Sequence, residues 1–297
     1  MLALILAGCS GPIAGGEKVS VDLSVRAPIP EIGSIEPQTL RIAVAAVLSP
    51  EGTIESYGEL AAYLGEQLGR PTQLVQRRTY AEINDLVASN EVDLAFVCTS
   101  AYVAGHDEAT MDLLVVPEID GKTVYRSAII VARSSSARSL EDLRDASFAF
   151  TDPISNTGRV YPTFALLEMG ESPEQFFSET IFTYGHDRSI EAVAERVVDG
   201  AAVDELVLSH MLESDPRLAD RIRVVGLSPD FGIPPVVVPS DTPASIRAVF
   251  EELLMGLESA PEGPGILADL GVDRFVKGFD GAYDSVRDMV EVTGIGP

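Results

Sequence analysis

Apolar positions recur along the chain with two alternating periods, and that alternation sets the expected architecture. Arg41 to Leu48 predicts a first strand, after which Tyr57, Leu60, Ala61, Leu64 and Leu68 fall at helical spacing. The helix stops at Gly69-Arg70-Pro71, since glycine closes a helix and proline cannot continue one. The plan repeats at once. Leu74 to Gln76 predicts a strand, Thr79 caps a helix bearing Ile83, Leu86 and Val87, and Val92 to Val97 predicts another strand. Strands alternating with amphipathic helices predict an α/β fold, mainly parallel sheets with helices on both faces.

The second half follows the same grammar. Ser147 to Thr151 predicts a strand, Arg159 to Met169 a helix, and Ile190, Val193, Ala194, Val197 and Val198 the apolar stripe of a helix ending at Gly200. The stretches that follow, Glu91-Val92-Asp93-Leu94-Ala95 and Ala201-Ala202-Val203-Asp204, are alike, so two lobes are expected. Val124 to Ala132 and Ile233 to Val238, the latter stiffened by Pro234-Pro235, are the expected crossings of a hinged cleft. Residues 39–127 and 234–297 then form lobe 1, completed by helices between Pro243 and Val292, and residues 128–233 form lobe 2.

The first residues break the pattern. Met1 to Gly8 is a short apolar run ahead of Cys9, the shape of an export signal, and Leu6-Ala7-Gly8-Cys9 resembles a bacterial lipobox. Residues 1–8 are expected to be a cleaved lipoprotein signal peptide and Cys9 the lipid attachment site. The run is too short to span a bilayer. Residues 9–38, rich in Gly, Pro and Ser apart from the alternating Val19, Val21, Leu23 and Val25, read as a lipid-anchored tether with one potential edge strand. With Cys9 acylated, Cys98 is left alone and no intramolecular disulfide is expected.

Composition narrows the chemistry. The 297 residues carry 46 Asp+Glu against 21 Lys+Arg, a formal net charge of −25, so no nucleic-acid partner is expected. Only Lys18, Lys122 and Lys277 are lysines, none in a glycine-rich context, and neither Gly-x-Ser-x-Gly nor a metal-spaced histidine pair occurs. No catalysis, cofactor or metal is therefore expected.

Three loop-to-helix stretches carry polar residues suited to a small ligand. In Thr151-Asp152-Pro153-Ile154-Ser155-Asn156-Thr157-Gly158 a strand enters a turn of small hydroxyl and amide residues, and Pro162 lies near the next helix start. Free N–H groups there, with the hydroxyls of Ser155 and Thr157, can trap an anion or simply cap the helix. Cys98-Thr99-Ser100-Ala101-Tyr102 has the same design after another strand, and ligands of open α/β lobes sit outside such strand ends. Thr183-Tyr184-Gly185-His186-Asp187-Arg188-Ser189 adds His186 as an imidazole donor, with Asp187 as the expected helix cap. Asp204, closing a strand, can accept the O–H of a protonated oxyanion or pair with a ligand's amine.

These motifs, with Leu48-Ser49-Pro50-Glu51, Tyr57, Tyr125-Arg126-Ser127, Ala202-Val203-Asp204 and Arg274-Phe275-Val276, resemble one family in order. The chain is similar over residues 38–292 to the phosphonate, phosphite and phosphate substrate-binding lipoproteins of ABC transporters. The resemblance implies the two-lobed type II periplasmic-binding-protein fold. It also implies an extracytoplasmic importer component that captures a small phosphorus oxyanion and delivers it to an ABC permease and ATPase complex. By resemblance, Thr99, Ser100, Ser155, Asn156 and Thr157 hold the oxyanion, Tyr57 and Tyr102 close the pocket, His186 donates and Asp204 accepts. Many members have a hydroxyl where Asn156 stands. The alternative is an arsenite-type sensor that uses Cys98 as a soft ligand and signals to a histidine kinase. A monomer, lipid-anchored on the periplasmic side of the cell membrane, is expected.

Overall fold

The computed structural model describes residues 38–48 and 50–296, so the signal peptide, Cys9 and the tether up to residue 37, alternating valines included, lie outside it. The first strands and helices alternate as expected: β1 (Leu40–Val44), α1 (Pro50–Leu68), β2 (Thr72–Gln76), α2 (Tyr80–Ala88), β3 (Leu94–Phe96) and α3 (Thr99–Asp107). Next come β4 (Met111–Glu118) and β5 (Val124–Tyr125). A continuous central stretch supplies β6 (Ser127–Ala132), β7 (Ser147–Phe150), α4 (Tyr161–Glu168), α5 (Pro173–Phe176), β8 (Glu179–Phe182), α6 (His186–Ala194), β9 (Gly200–Asp204), α7 (Glu205–Ser214) and β10 (Ile222–Leu227). The chain returns through β11 (Phe231–Gly232), β12 (Val236–Pro239), α8 (Ala244–Met255), α9 (Gly263–Leu270), β13 (Arg274–Val276) and α10 (Asp284–Thr293).

Two main sheets result. The first has the order β13-β4-β12-β3-β1-β2 and the second β10-β6-β9-β7-β8. The expectation of mainly parallel pairing needs correction, because both sheets are mixed. β1 pairs in parallel with β2 and β3, as β7 does with β8 and β9, whereas β12 runs antiparallel to β3 and β4, and β6 antiparallel to β9 and β10. The cause is the connectivity: β6 and β12 follow the two crossings, which bring the chain back through each sheet in the opposite direction. At the crossings themselves β5 and β11 pair antiparallel, Tyr125 opposite Phe231.

Side chains alternate across each strand, and both faces are covered. Ile42, Leu94, Val236 and Val238 face Leu60 and Leu64 of α1, Phe250 of α8 and Leu267 of α9. Ala43, Ala95 and Val237 face Ile83 and Val87 of α2, Tyr102 of α3 and Met289 of α10. In the second sheet Ile130 and Val203 meet Ile190 and Val193 of α6, while Ile129, Phe148 and Phe150 pack on Leu166 and Phe176. Each fully buried large apolar side chain stabilises the fold by about 1.5–3 kcal/mol relative to exposure. Both sheets are thus rigid platforms from which loops project. Among the described residues no helix is long and apolar enough to cross a membrane.

Candidate functional site

The turn after β7 is shaped by a missing hydrogen-bond donor. Pro162 has no N–H to continue a regular ladder, and the chain enters α4 through one wide turn, Asn156–Val160. Val160 N–H reaches back to the Ser155 carbonyl at 2.9 Å, and Ser155 Oγ accepts from Gly158 N–H at 3.1 Å. The carbonyls of Thr157 and Gly158 are met from outside the helix, by Ser127 Oγ at 2.7 Å and Thr151 N–H at 3.2 Å. Gly158 is required because a Cβ there would lie 2.6 Å from the Thr151 Cβ. Ser155 therefore caps this turn, and Ser155, Asn156 and Thr157 are all buried.

The opposing wall is the start of α3. Cys98 is its N-cap residue without a side-chain capping bond, Thr99 Oγ1 donates to the Gly232 carbonyl at 2.9 Å, and Ser100 Oγ donates to the Ile154 carbonyl. Ser100 thereby ties the two turns together. Tyr125 joins them from the crossing strand: its hydroxyl accepts from Asn156 Nδ2 at 3.1 Å and is hydrogen-bonded to the Thr99 side chain. Two fully buried polar atoms here have no hydrogen-bond partner, Asn156 Oδ1 and the Tyr80 hydroxyl. Burial and the nearby Cys98, Asp152 and Asp204 raise the Tyr80 hydroxyl well above its usual range.

His186 and Asp204 form a unit. His186 Nδ1 accepts the Asp204 backbone N–H at 2.9 Å and lies 3.1 Å from Thr151 Oγ1, so the ring proton resides on Nε2, free to donate. Burial lowers the His186 pKa to about 3, which keeps the imidazole neutral at physiological pH. Asp204 Oδ1 accepts Leu206 N–H at 2.7 Å, capping α7, while burial pushes its carboxyl up to about 7. Beside it, burial and then the Asp204 charge push the Tyr57 hydroxyl up to about 12. Asp187 is not the α6 cap; Gly185 holds that place, with Asp187 in the first turn.

A cavity of about 520 Å³ opens from this unit, with Tyr57, Phe96, Tyr125 and Asp204 in its wall. Thr99, Ser100, Ser155, Asn156, Thr157 and His186 are buried and do not line it; of them Asn156 and Thr99 bond to Tyr125, and His186 to the Asp204 N–H. Tyr102 is a correction. It does not line the cavity, because α3 turns it toward α10, where its hydroxyl donates to Asp280 Oδ1 at 2.7 Å and its ring stacks on His106. Cys98 does reach these buried residues, its sulfur near the Asn156 N–H and 3.7 Å from Ser100 Oγ, but burial raises the thiol pKa. Tyr80 and Tyr125 were missed in the sequence: Tyr80 occupies a helix position that reads as core, and Tyr125 sits in a strand that reads only as a crossing. Among the described residues no group of three or more His, Cys, Asp or Glu could hold a metal ion.

Chemically the buried side of the site offers several neutral donors, and Asp204 is the buried carboxylate beside them. The family model described as ABC transporter, phosphonate, periplasmic substrate-binding protein matches residues 42–283. The phosphate-import protein PhnD of Mycolicibacterium smegmatis is 30% identical over 200 residues, 64% of this chain and 62% of that protein. The chain thus spans less than two thirds of the curated relative it matches. A binding-protein component of an ABC phosphonate transporter from Pseudomonas aeruginosa superposes with a TM-score of 0.80 at 20% identity, covering 87% of both chains. PhnD1 of Prochlorococcus marinus, solved in complex with methylphosphonate, gives 0.79 at 16% identity, over 86% of this chain and 98% of that one. With its family match running from the first strand to the start of the last helix, the chain belongs to the periplasmic phosphonate substrate-binding family of ABC transporters.

Proposed function

We propose that the protein is the extracytoplasmic binding component of an ABC importer, which captures a phosphorus oxyanion between two lobes and delivers it to a permease. It catalyses no reaction and is held at the membrane through Cys9 as a monomer. The observation that carries the reading is the His186–Asp204 unit, in which Nδ1 accepts the Asp204 N–H and leaves Nε2–H to donate, near two loop-to-helix turns that hold Thr99, Ser100, Ser155, Asn156 and Thr157. Donors fit the ligand's P–O⁻ oxygens, and the carboxylate fits a P–OH. Tyr57 is kept in the site, Tyr80 and Tyr125 are added, and Tyr102 is left out.

Lobe limits of 39–127 with 234–297, and 128–233, are supported by the residues that each sheet draws upon. A ligand that touches both lobes binds the closed arrangement better and shifts the population toward it. The raised Cys98 thiol favours this reading over an arsenite sensor, since the thiolate is the soft ligand. The deciding experiment is a calorimetric and thermal-shift panel of phosphite, phosphate, methylphosphonate, 2-aminoethylphosphonate and arsenite. Stabilisation by a phosphorus oxyanion is expected. Stabilisation by arsenite alone would overturn the proposal.

A further inference from the structure

The seam between the lobes has two openings of opposite charge. The 520 Å³ cavity is lined by Asp120, Glu205, Glu213, Asp230 and Asp269 besides Asp204, against two cations, Lys122 and Arg126, the latter paired with Glu205. A second cavity of about 380 Å³ has Arg77, Arg78 and Arg188 in its wall, with Tyr184, and no carboxylate lines it among the described residues. In a chain with a net charge of −25 that is a local inversion of sign. The two cavities share Val44, Leu48 and Thr53, so both adjoin the loop from β1 to α1.

The arginines come from both lobes. Arg77 and Arg78 follow β2 in the first sheet, whereas Arg188 lies on α6, which packs on the second. Arg78 crosses the seam, its guanidinium 4.2 Å from the centroid of the Tyr184 ring. Among the described residues none of the three forms an ion pair, although nine other arginines do. Glu82 is the acidic neighbour of Arg77, yet its carboxylate is engaged by the Thr79 N–H at 2.9 Å. Closing the lobes therefore gathers three like charges around one pocket, which is unfavourable unless an anion joins them.

The geometry points to a second anion site, for a small multivalent oxyanion such as sulfate or phosphate dianion, that clamps the lobes at an opening distinct from the acidic one. Guanidinium forks match tetrahedral oxyanions two oxygens at a time, and Arg77 and Arg188 can each supply one while Arg78 stays on Tyr184. A dianion held by both lobes favours the closed arrangement, and by linkage it raises affinity in the main cleft by the factor that cleft occupancy raises its own. Only this coupling rests on the proposed function; the site itself does not.

Sulfate, titrated calorimetrically at constant ionic strength made up with chloride, is the probe. Three proteins are compared: the unmodified chain, Arg77→Gln with Arg188→Gln, and Ser155→Ala with Thr157→Ala. Sulfate should bind the first and third alike and the arginine variant at least about tenfold more weakly. A fourth protein measured beside these three, Arg188→Lys, keeps the charge but not the fork and should lie between the first two. No binding to the unmodified chain at millimolar sulfate overturns the site, as does equal binding to all three proteins. Loss confined to the Ser155/Thr157 variant also overturns it, by showing that sulfate occupies the main cleft. Failure of the panel above with success here would remove the proposed ligand class and leave this site standing.

Discussion

Asp204 and His186 divide the labour of recognition by their protonation. His186 is held neutral by burial, with its proton on the nitrogen facing away from the Asp204 N–H, so its donor role should not vary with pH near neutrality. Asp204, raised to about 7, is the group that titrates. A bound oxyanion and this carboxylate share one proton in the proposed complex, and phosphoryl groups lose their second proton near pH 6. Above pH 7 both partners are ionised when apart, so affinity should fall by up to about tenfold per pH unit, as one proton must be taken up on binding. Calorimetry from pH 6.5 to 8.5 checks this, and Asp204→Asn should flatten the profile. Stability carries the same sign. The folded chain retains a proton that the unfolded chain releases, so this contribution is full below the ordinary value of 3.8 and is lost as pH rises through about 7. Thermal melts of the unmodified chain relative to Asp204→Asn should thus fall across that window. Ser155→Ala with Thr157→Ala should weaken oxyanion binding more than tenfold, roughly two charge-assisted bonds; an unchanged Kd would refute the assignment.

At the scale of elements, what was legible depended on whether local chemistry decided the outcome. The α2 start was legible to the residue: Thr79 forms a capping box with Glu82, as its hydroxyl and spacing allow. Strand interiors were legible because Ile42, Leu94 and Val237 must be buried on both faces. Strand direction was not, since antiparallel insertion of β12 is a property of the returning chain rather than of its own residues. Nor was the outward turn of Tyr102, which α10 decides from far along the sequence. The site's hydroxyl and amide turns were visible through composition, whereas Tyr80 and Tyr125 became visible only when three dimensions brought their hydroxyls toward Asp204 and Asn156. The wide turn after β7 yields its own prediction. Gly158→Ala should lower stability by about 1–3 kcal/mol through overpacking. The added Cβ presses on Thr151, whose hydroxyl contacts His186, so ligand affinity should fall with it. Melting and calorimetry on the same variant test both effects; loss of stability with full affinity would uncouple Thr151 from the site.

Across the whole molecule, several bonds hold the lobes together in this arrangement. His186 N–H donates to the Val47 carbonyl at 2.9 Å, Tyr80 N–H to Asp152 Oδ2 at 3.1 Å, and Ser100 to Ile154. In the proposed importer ligand binding closes the lobes, so small-angle scattering should record a smaller radius of gyration with ligand than without. Burial pushes the Asp152 carboxyl up to about 6, so its bond to α2 is charge-assisted only above that pH. The net charge of −25 does nothing for an anion at long range, which leaves recognition to groups inside the seam. The place of β12, between β3 and β4, also fixes an order of assembly. Until Val236 has been synthesised, β3 lacks the partner it pairs with there, and no local rearrangement can fill that position. The central stretch from Ser127 to Leu227 holds every strand of its own sheet and waits for nothing. In pulse-labelled exchange, amides of β6, β7 and β9 should gain protection before those of β3, because the contacts that complete the outer lobe span the longest separations in the chain. A nascent chain would thus carry a finished inner lobe behind an unfinished half of the other, which is completed only when the residues after Leu227 arrive.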